Sequence, residues 1–135
     1  MAGRAVMEAL QLRKKGYNCA QSVGVPLCDM LGVDKELAFK ALEGFGGGMG
    51  CYGLTCGALS AAVFAVGLKY SDGNLEVPES KRNTYAICEE LVQKFTKEMG
   101  TNCCLEIRGT NEPGHMDICD KCVMVATNLA EKVIG

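Results

Sequence analysis

Apolar residues recur at helical spacing in stretch after stretch of this chain, and no segment carries the two-residue alternation of a half-buried strand. After Asp117, the residues Cys119, Cys122, Ala126, Leu129, Ala130 and Val133 fall three or four apart, which lines up one helix face. Tyr85, Cys88, Leu91, Val92, Phe95 and Met99 do the same after Pro78 and Glu79 open a long helix, and Gly100 stops it. Val6 and Leu10 begin a first helix that closes on Lys14, Lys15 and Gly16. Asn18 suits the N-cap of a second, Cys19 to Leu31, which Gly24 and Pro26 should kink or divide before Gly32 ends it. Asp34 opens a third through Leu37, Ala38, Ala41 and Leu42, and a short helical turn is expected from about Asn102 to Ile107. The expected fold is all-α: one domain over residues 1–135, a bundle of about five to six helices.

One helix in this set is unusual. Thr55 is its expected N-cap, and to about Tyr70 it is apolar on nearly every side, so it should be the buried centre of the bundle. The same apolar surface would also serve a homodimer interface. The run Ala58 to Leu68 is too short to span a bilayer. Before it, Gly44, Gly46, Gly47, Gly48, Gly50 and Gly53 make a loop of wide backbone freedom. Gly48, Gly50 and Gly53 spell GxGxxG, but helix rather than strand precedes them, which argues against a dinucleotide site; tight helix packing around a sharp turn is the plain alternative.

With 14 basic and 16 acidic residues spread along the chain, there is no basic stripe for a phosphate backbone, so nucleic acid is excluded as a partner class. No apolar secretory segment opens the sequence, and a cytoplasmic location is expected. A reducing compartment disfavours permanent disulfides, so the nine cysteines must be accounted for otherwise. Cys28, late in its segment, and Cys88, at core spacing in mid-helix, read as small apolar fillers. Cys51 lies in the glycine loop, and the other six gather at expected helix starts: Cys19 after Asn18, Cys56 after Thr55, Cys103 and Cys104 after Thr101 and Asn102, Cys119 and Cys122 after Asp117. Free N–H groups and the helix dipole there favour thiolates, whether as nucleophiles or as metal ligands.

Cys119-Asp120-Lys121-Cys122 is the single CxxC, two thiols one helical turn apart on one face, able to grip a metal or exchange a disulfide. Val123 follows it, so it is not a c-type haem attachment site, and the strands of a thioredoxin-like setting are missing. The lone histidine, His115, lies in an expected loop as a surface residue or an auxiliary ligand.

Asn18-Cys19-Ala20-Gln21, the loop Gly46-Gly47-Gly48-Met49-Gly50, Cys56-Gly57-Ala58 and the later separated cysteines resemble the C_GCAxxG_C_C family of redox-active proteins. The pattern maps to Cys19, to Cys56 through Ala61, to Cys104 before Gly109, and to Cys122 before Val123 and Ala126. Ala61 stands where the family element ends in glycine, and Cys51, Cys103 and Cys119 are additional thiols. A related region occurs in split-Soret cytochromes, where an iron-sulfur centre is associated with it. The leading expectation is therefore electron transfer through an iron-sulfur cluster held by Cys19, Cys56, Cys104 and Cys122. Cys51, Cys103 and Cys119 would be auxiliary, Gly48 and Gly50 would lie against the cluster, and an electron donor or acceptor protein would be the partner. Two alternatives use the same residues: thiol-disulfide chemistry at Cys119, Cys122 and Cys104, and a structural zinc.

Overall fold

The computed structural model describes residues 3–111, 113–114 and 116–135. Seven α-helices follow one another: α1 (Arg4–Lys15), α2 (Cys19–Met30), α3 (Lys35–Leu42), α4 (Gly57–Tyr70), α5 (Lys81–Met99), α6 (Cys104–Arg108) and α7 (Ile118–Ile134). A 3-10 turn at Glu43–Phe45 and a wide turn at Gly48–Tyr52 fill the span between α3 and α4. Among the described residues there is no strand, only one antiparallel bridge joining Thr55 to Cys103. His115 lies outside the described residues.

The helix ends follow local chemistry. Gly16, at φ 111°, closes α1 with a pair of crossed bonds: its N–H donates to the Arg13 carbonyl, and the Tyr17 N–H donates to Leu12 at 3.1 Å. Gly32 repeats the device after α2, with Val33 N–H donating to the Cys28 carbonyl at 2.8 Å. Asn18 forms a full capping box, its Oδ1 accepting from Gln21 N–H at 2.8 Å while Gln21 Oε1 accepts from Asn18 N–H at 3.0 Å. Asp117 Oδ1 caps α7 by accepting from Cys119 N–H at 2.9 Å.

Three boundaries differ from the sequence reading. Pro26 and Gly24 do not divide α2, which runs unbroken; Gly24 instead lets Leu42 of α3 lie directly on the helix, where any Cβ would collide with it. The N-cap of α4 is Cys56 rather than Thr55, because Thr55 is drawn into the bridge with Cys103. The helix α5 begins at Lys81, not at Pro78. The turn before it holds residues 78–80 back: Asp72 Oδ2 accepts from Glu79 N–H, and Ser80 Oγ accepts from Asp72 N–H, both at 3.0 Å.

The helix α4 is the centre of the bundle, packed by α2, α7 and α5. Its Ala58, Ala61, Ala62, Ala65 and Val66 are wholly buried, so small side chains let three neighbours approach and the apolar surface is used within the chain. Leu27, Leu42, Leu59, Leu91, Phe95 and Val123 fill the space around it. Of the α5 face expected from spacing, Leu91 and Phe95 are buried and Cys88, Val92 and Met99 pack against the core, whereas Tyr85 is 65% exposed on the first turns, which stand clear of it. Among the described residues no helix is long and apolar enough to cross a membrane.

Candidate redox centre

Three chain segments meet where α4 and α6 begin. The Thr55–Cys103 bridge is closed by Cys56 N–H donating to the Asn102 carbonyl at 2.8 Å and Cys104 N–H donating to the Leu54 carbonyl at 2.6 Å. This staple fixes Cys56 and Cys104 side by side at the ends of two helices far apart in sequence.

Glycines admit the rest. Gly57 opens α4 against the second cysteine segment: a Cβ there would stand 2.7 Å from Cys19 Sγ and 2.6 Å from the Phe45 carbonyl oxygen. Gly48 has φ +61°, and a Cβ on it would stand 2.5 Å from the Cys104 Cβ. Both closeness and handedness therefore require glycine there. Gly50, also left-handed, lies elsewhere: it is exposed, and the Gly44 carbonyl is what its Cβ would meet. The Asn18 amide donates to the Glu43 carbonyl at 2.9 Å and Gln21 Nε2 to the Phe39 carbonyl at 3.1 Å, tying the start of α2, and with it Cys19, to the turn that precedes the glycines.

Within this arrangement one pair stands apart. The Cys122 thiol, on the second turn of α7, is the neighbour that most lowers the Cys56 pKa, to about 7. Burial opposes this, and the N–H groups of Leu59 and Ala58 reinforce the lowering without forming a side-chain cap. Cys122 in turn is raised above the ordinary thiol range by the Cys56 sulfur beside it, by burial and by the charge on Cys56. The first proton of the pair thus comes off near neutral pH, from Cys56, while Cys122 keeps its own.

The neighbouring thiols do not share that character, although they too sit at helix starts. Cys104 is raised by burial and by the charges on Cys56 and Cys19, with Arg108 pulling the other way. Cys119 is pushed up to about 11 by burial and by Asp117, against Arg13. Cys104, Cys119 and Cys122 each feel the charges of Cys56 and Cys19, and among the described residues no group of three or more His, Cys, Asp or Glu side chains is arranged to hold a metal ion.

Of the auxiliary cysteines, Cys51 is exposed and its thiol donates to the Gly48 carbonyl at 3.4 Å, while Cys103 donates to Gly53 at 3.3 Å. Cys28, fully buried in the core, is pushed up to about 11 by burial alone, and half-buried Cys88 is raised for the same reason. Two arginines went unnoticed in the sequence. Arg13, at the end of α1, reaches α7 and donates through Nε to Asp120 Oδ1 at 3.0 Å. Arg108, at the end of α6, lies over the Tyr52 ring with its guanidinium carbon 4.8 Å from the ring centre. No spacing rule brings the end of α1 to the start of α7; only the tertiary fold does.

No curated protein and no solved structure matches the chain. A family model does, over residues 17–133, and its description is "Putative redox-active protein (C_GCAxxG_C_C)". Every cysteine of the group just described falls within the matched span, and the chain belongs to the C_GCAxxG_C_C redox-active family.

Proposed function

We propose that the protein is a thiol-disulfide redox protein whose working couple is Cys56 and Cys122. The observation that carries this reading is the juxtaposition of two buried sulfurs from different helices, Cys122 on α7 and Cys56 at the start of α4, whose pKa Cys122 lowers to about 7. A thiol of that acidity is substantially ionised at neutral pH yet still nucleophilic.

The Cys56 thiolate attacks one sulfur of a partner disulfide, forms a mixed disulfide and releases the other partner sulfur as a thiolate that takes up a proton. Bonding to sulfur removes the negative charge from Cys56, and with it the principal cause of the high Cys122 pKa. Cys122 then gives up its proton, attacks the Cys56 sulfur and displaces the second partner thiol. Two electrons pass from the dithiol to the partner, and the Cys56–Cys122 disulfide remains; an electron donor reverses the sequence. The surrounding helices exclude water, which spares the mixed disulfide from side reactions. A reducing cytoplasm would keep the couple in its dithiol form.

The iron-sulfur reading uses Cys19, Cys56, Cys104 and Cys122, with Gly48 behind Cys104 and Gly50 on the same loop. That the charges of Cys19 and Cys56 reach both Cys104 and Cys122 favours it, but it requires the four thiols to close in from the arrangement described above, so it ranks second. A zinc site asks for the same movement.

Site-resolved trapping of thiols across a redox titration decides the matter. The dithiol reading expects two thiols to vanish together, mapped to Cys56 and Cys122. An unchanged count of free thiols contradicts it, and stoichiometric iron and sulfide in anaerobically reconstituted protein supports the cluster.

A further inference from the structure

A groove of about 520 Å³ opens beside the couple, between the end of α1, the helix α6 and the start of α7. Arg13 of α1 and Arg108 of α6 both line it, with Leu105 as an apolar wall and Asp117 and Cys119 at the start of α7. The volume suits a small ligand rather than a protein segment. The charges in it are unequal in availability. Arg13 is engaged by Asp120 at 3.0 Å and approaches Asp117 at 3.8 Å. Arg108 lies over an aromatic ring and, among the described residues, has no carboxylate within ion-pair distance. One guanidinium is thus presented to whatever occupies the groove, and it is the group best shaped to hold a carboxylate through two hydrogen bonds.

Cys119 gives this recess a chemistry. It is half-buried on the groove wall, one turn before Cys122 on the same helix, and the charge of Cys56 reaches it. We infer that the groove binds a small disulfide bearing carboxylates, anchored by Arg108, and that Cys119 is the first thiol to exchange with it. Cys119 loses its proton and attacks one sulfur of the bound disulfide; the other sulfur leaves as a thiol, carrying that proton. The Cys56 thiolate then attacks the Cys119 sulfur, forming a Cys56–Cys119 disulfide and releasing the second small thiolate, which takes up a proton from solvent. Cys122 attacks the Cys56 sulfur and passes its proton to the departing Cys119. Two electrons have then entered the small disulfide, and the Cys56–Cys122 disulfide remains. Cys119 is a weak acid here, so its attack depends on the ligand being held in place rather than on a large thiolate fraction. This inference rests on the dithiol reading for its purpose but not for its test.

The test uses the full chain carrying Cys56→Ser, so that the mixed disulfide on Cys119 accumulates. Oxidised glutathione serves as the acidic probe, 2-hydroxyethyl disulfide as the neutral one and cystamine as the cationic one, with the modified cysteine located by mass spectrometry. Cys119 should react about tenfold faster with the acidic probe than with the cationic one, with the preference eroded by salt. Arg108→Gln should abolish the preference and Arg108→Lys should restore most of it, which separates loss of charge from loss of fold. Equal rates with the three probes, or modification falling mainly on another cysteine, overturns the proposal. Charge-selective modification of Cys119, together with no Cys56–Cys122 disulfide in the unmodified protein, would remove the couple and leave the groove standing.

Discussion

Cys28 and Cys56 are both buried, at 0% and 5% exposure, yet burial pushes one thiol up to about 11 while the other falls to about 7. Cys28 lies in the second half of α2, surrounded by side chains that offer its sulfur no donor; desolvation acts unopposed. Cys56 is also desolvated, but it stands at the start of a helix, where the N–H groups of Ala58 and Leu59 and above all the neighbouring Cys122 thiol lower its pKa. The middle of the bundle uses cysteine as a small hydrophobe and its α4–α6–α7 end uses it as an acid. Burial does not separate the two roles; the donors around the sulfur do.

The sharpest way to break this contrast is to exchange the consequences of the two sites. Cys56→Ser should abolish the paired loss of thiols on oxidation, whereas Cys28→Ala should leave it intact and cost about 1–2 kcal/mol of stability through the cavity it opens. Denaturant unfolding and thiol trapping on the two variants read both outcomes. Loss of redox behaviour in the Cys28 variant would dissolve the distinction.

Packing at the site should be less forgiving than packing at exposed turns. Gly57→Ala drives a methyl group against Cys19 Sγ and the Phe45 carbonyl, and should cost about 1–3 kcal/mol. Gly67→Ala, on the same helix, meets nothing within 4 Å and should be neutral or stabilising by a few tenths of a kcal/mol to about 1 kcal/mol. Thermal unfolding of the two variants gives the difference directly.

The pH dependence of stability should divide the same way. Cys56 has a folded pKa below its ordinary value of 9.0, so its contribution is present above about pH 9 and is lost as pH falls through about 7. Cys28 and Cys119 have folded pKa values raised from 9.0 to about 11; their contribution is full below pH 9 and is lost as pH rises through about 11. Cys28→Val should therefore flatten the alkaline decline by up to about 2 kcal/mol without changing the neutral limb, a difference visible in denaturant midpoints taken across pH.

Much of the scaffold was legible because its signals are local. Asn18 and Asp117 cap the helices their chemistry favours, Gly16 and Gly100 stop the helices they follow, and Cys28 and Cys88 sit in the core where their positions put them. The site was legible only as a set of thiols. The CxxC drew attention to Cys119 and Cys122 as partners, whereas Cys122 is paired across helices with Cys56. That pairing depends on the packing of α4 against α7, which has no periodicity to announce it. The Thr55–Cys103 bridge moved the cap of α4 from Thr55 to Cys56, and so changed Cys56 from a first-turn residue into the cap itself. Helix starts were expected to favour the thiolate; Cys104 and Cys119 go the other way because burial raises both, and the charges of Cys56 and Cys19 add to it.

The acidity of Cys56 and its dependence on Cys122 hold the whole reading together, and site-resolved alkylation followed from about pH 5 to about pH 10 measures both. Cys56 should alkylate with a midpoint near 7 in the native chain, keep it in Cys122→Ser, where a hydroxyl donor replaces the thiol, and shift upward in Cys122→Ala, where no donor remains. A Cys56 midpoint near the ordinary thiol value in the native chain, or one unmoved by Cys122→Ala, would contradict the account.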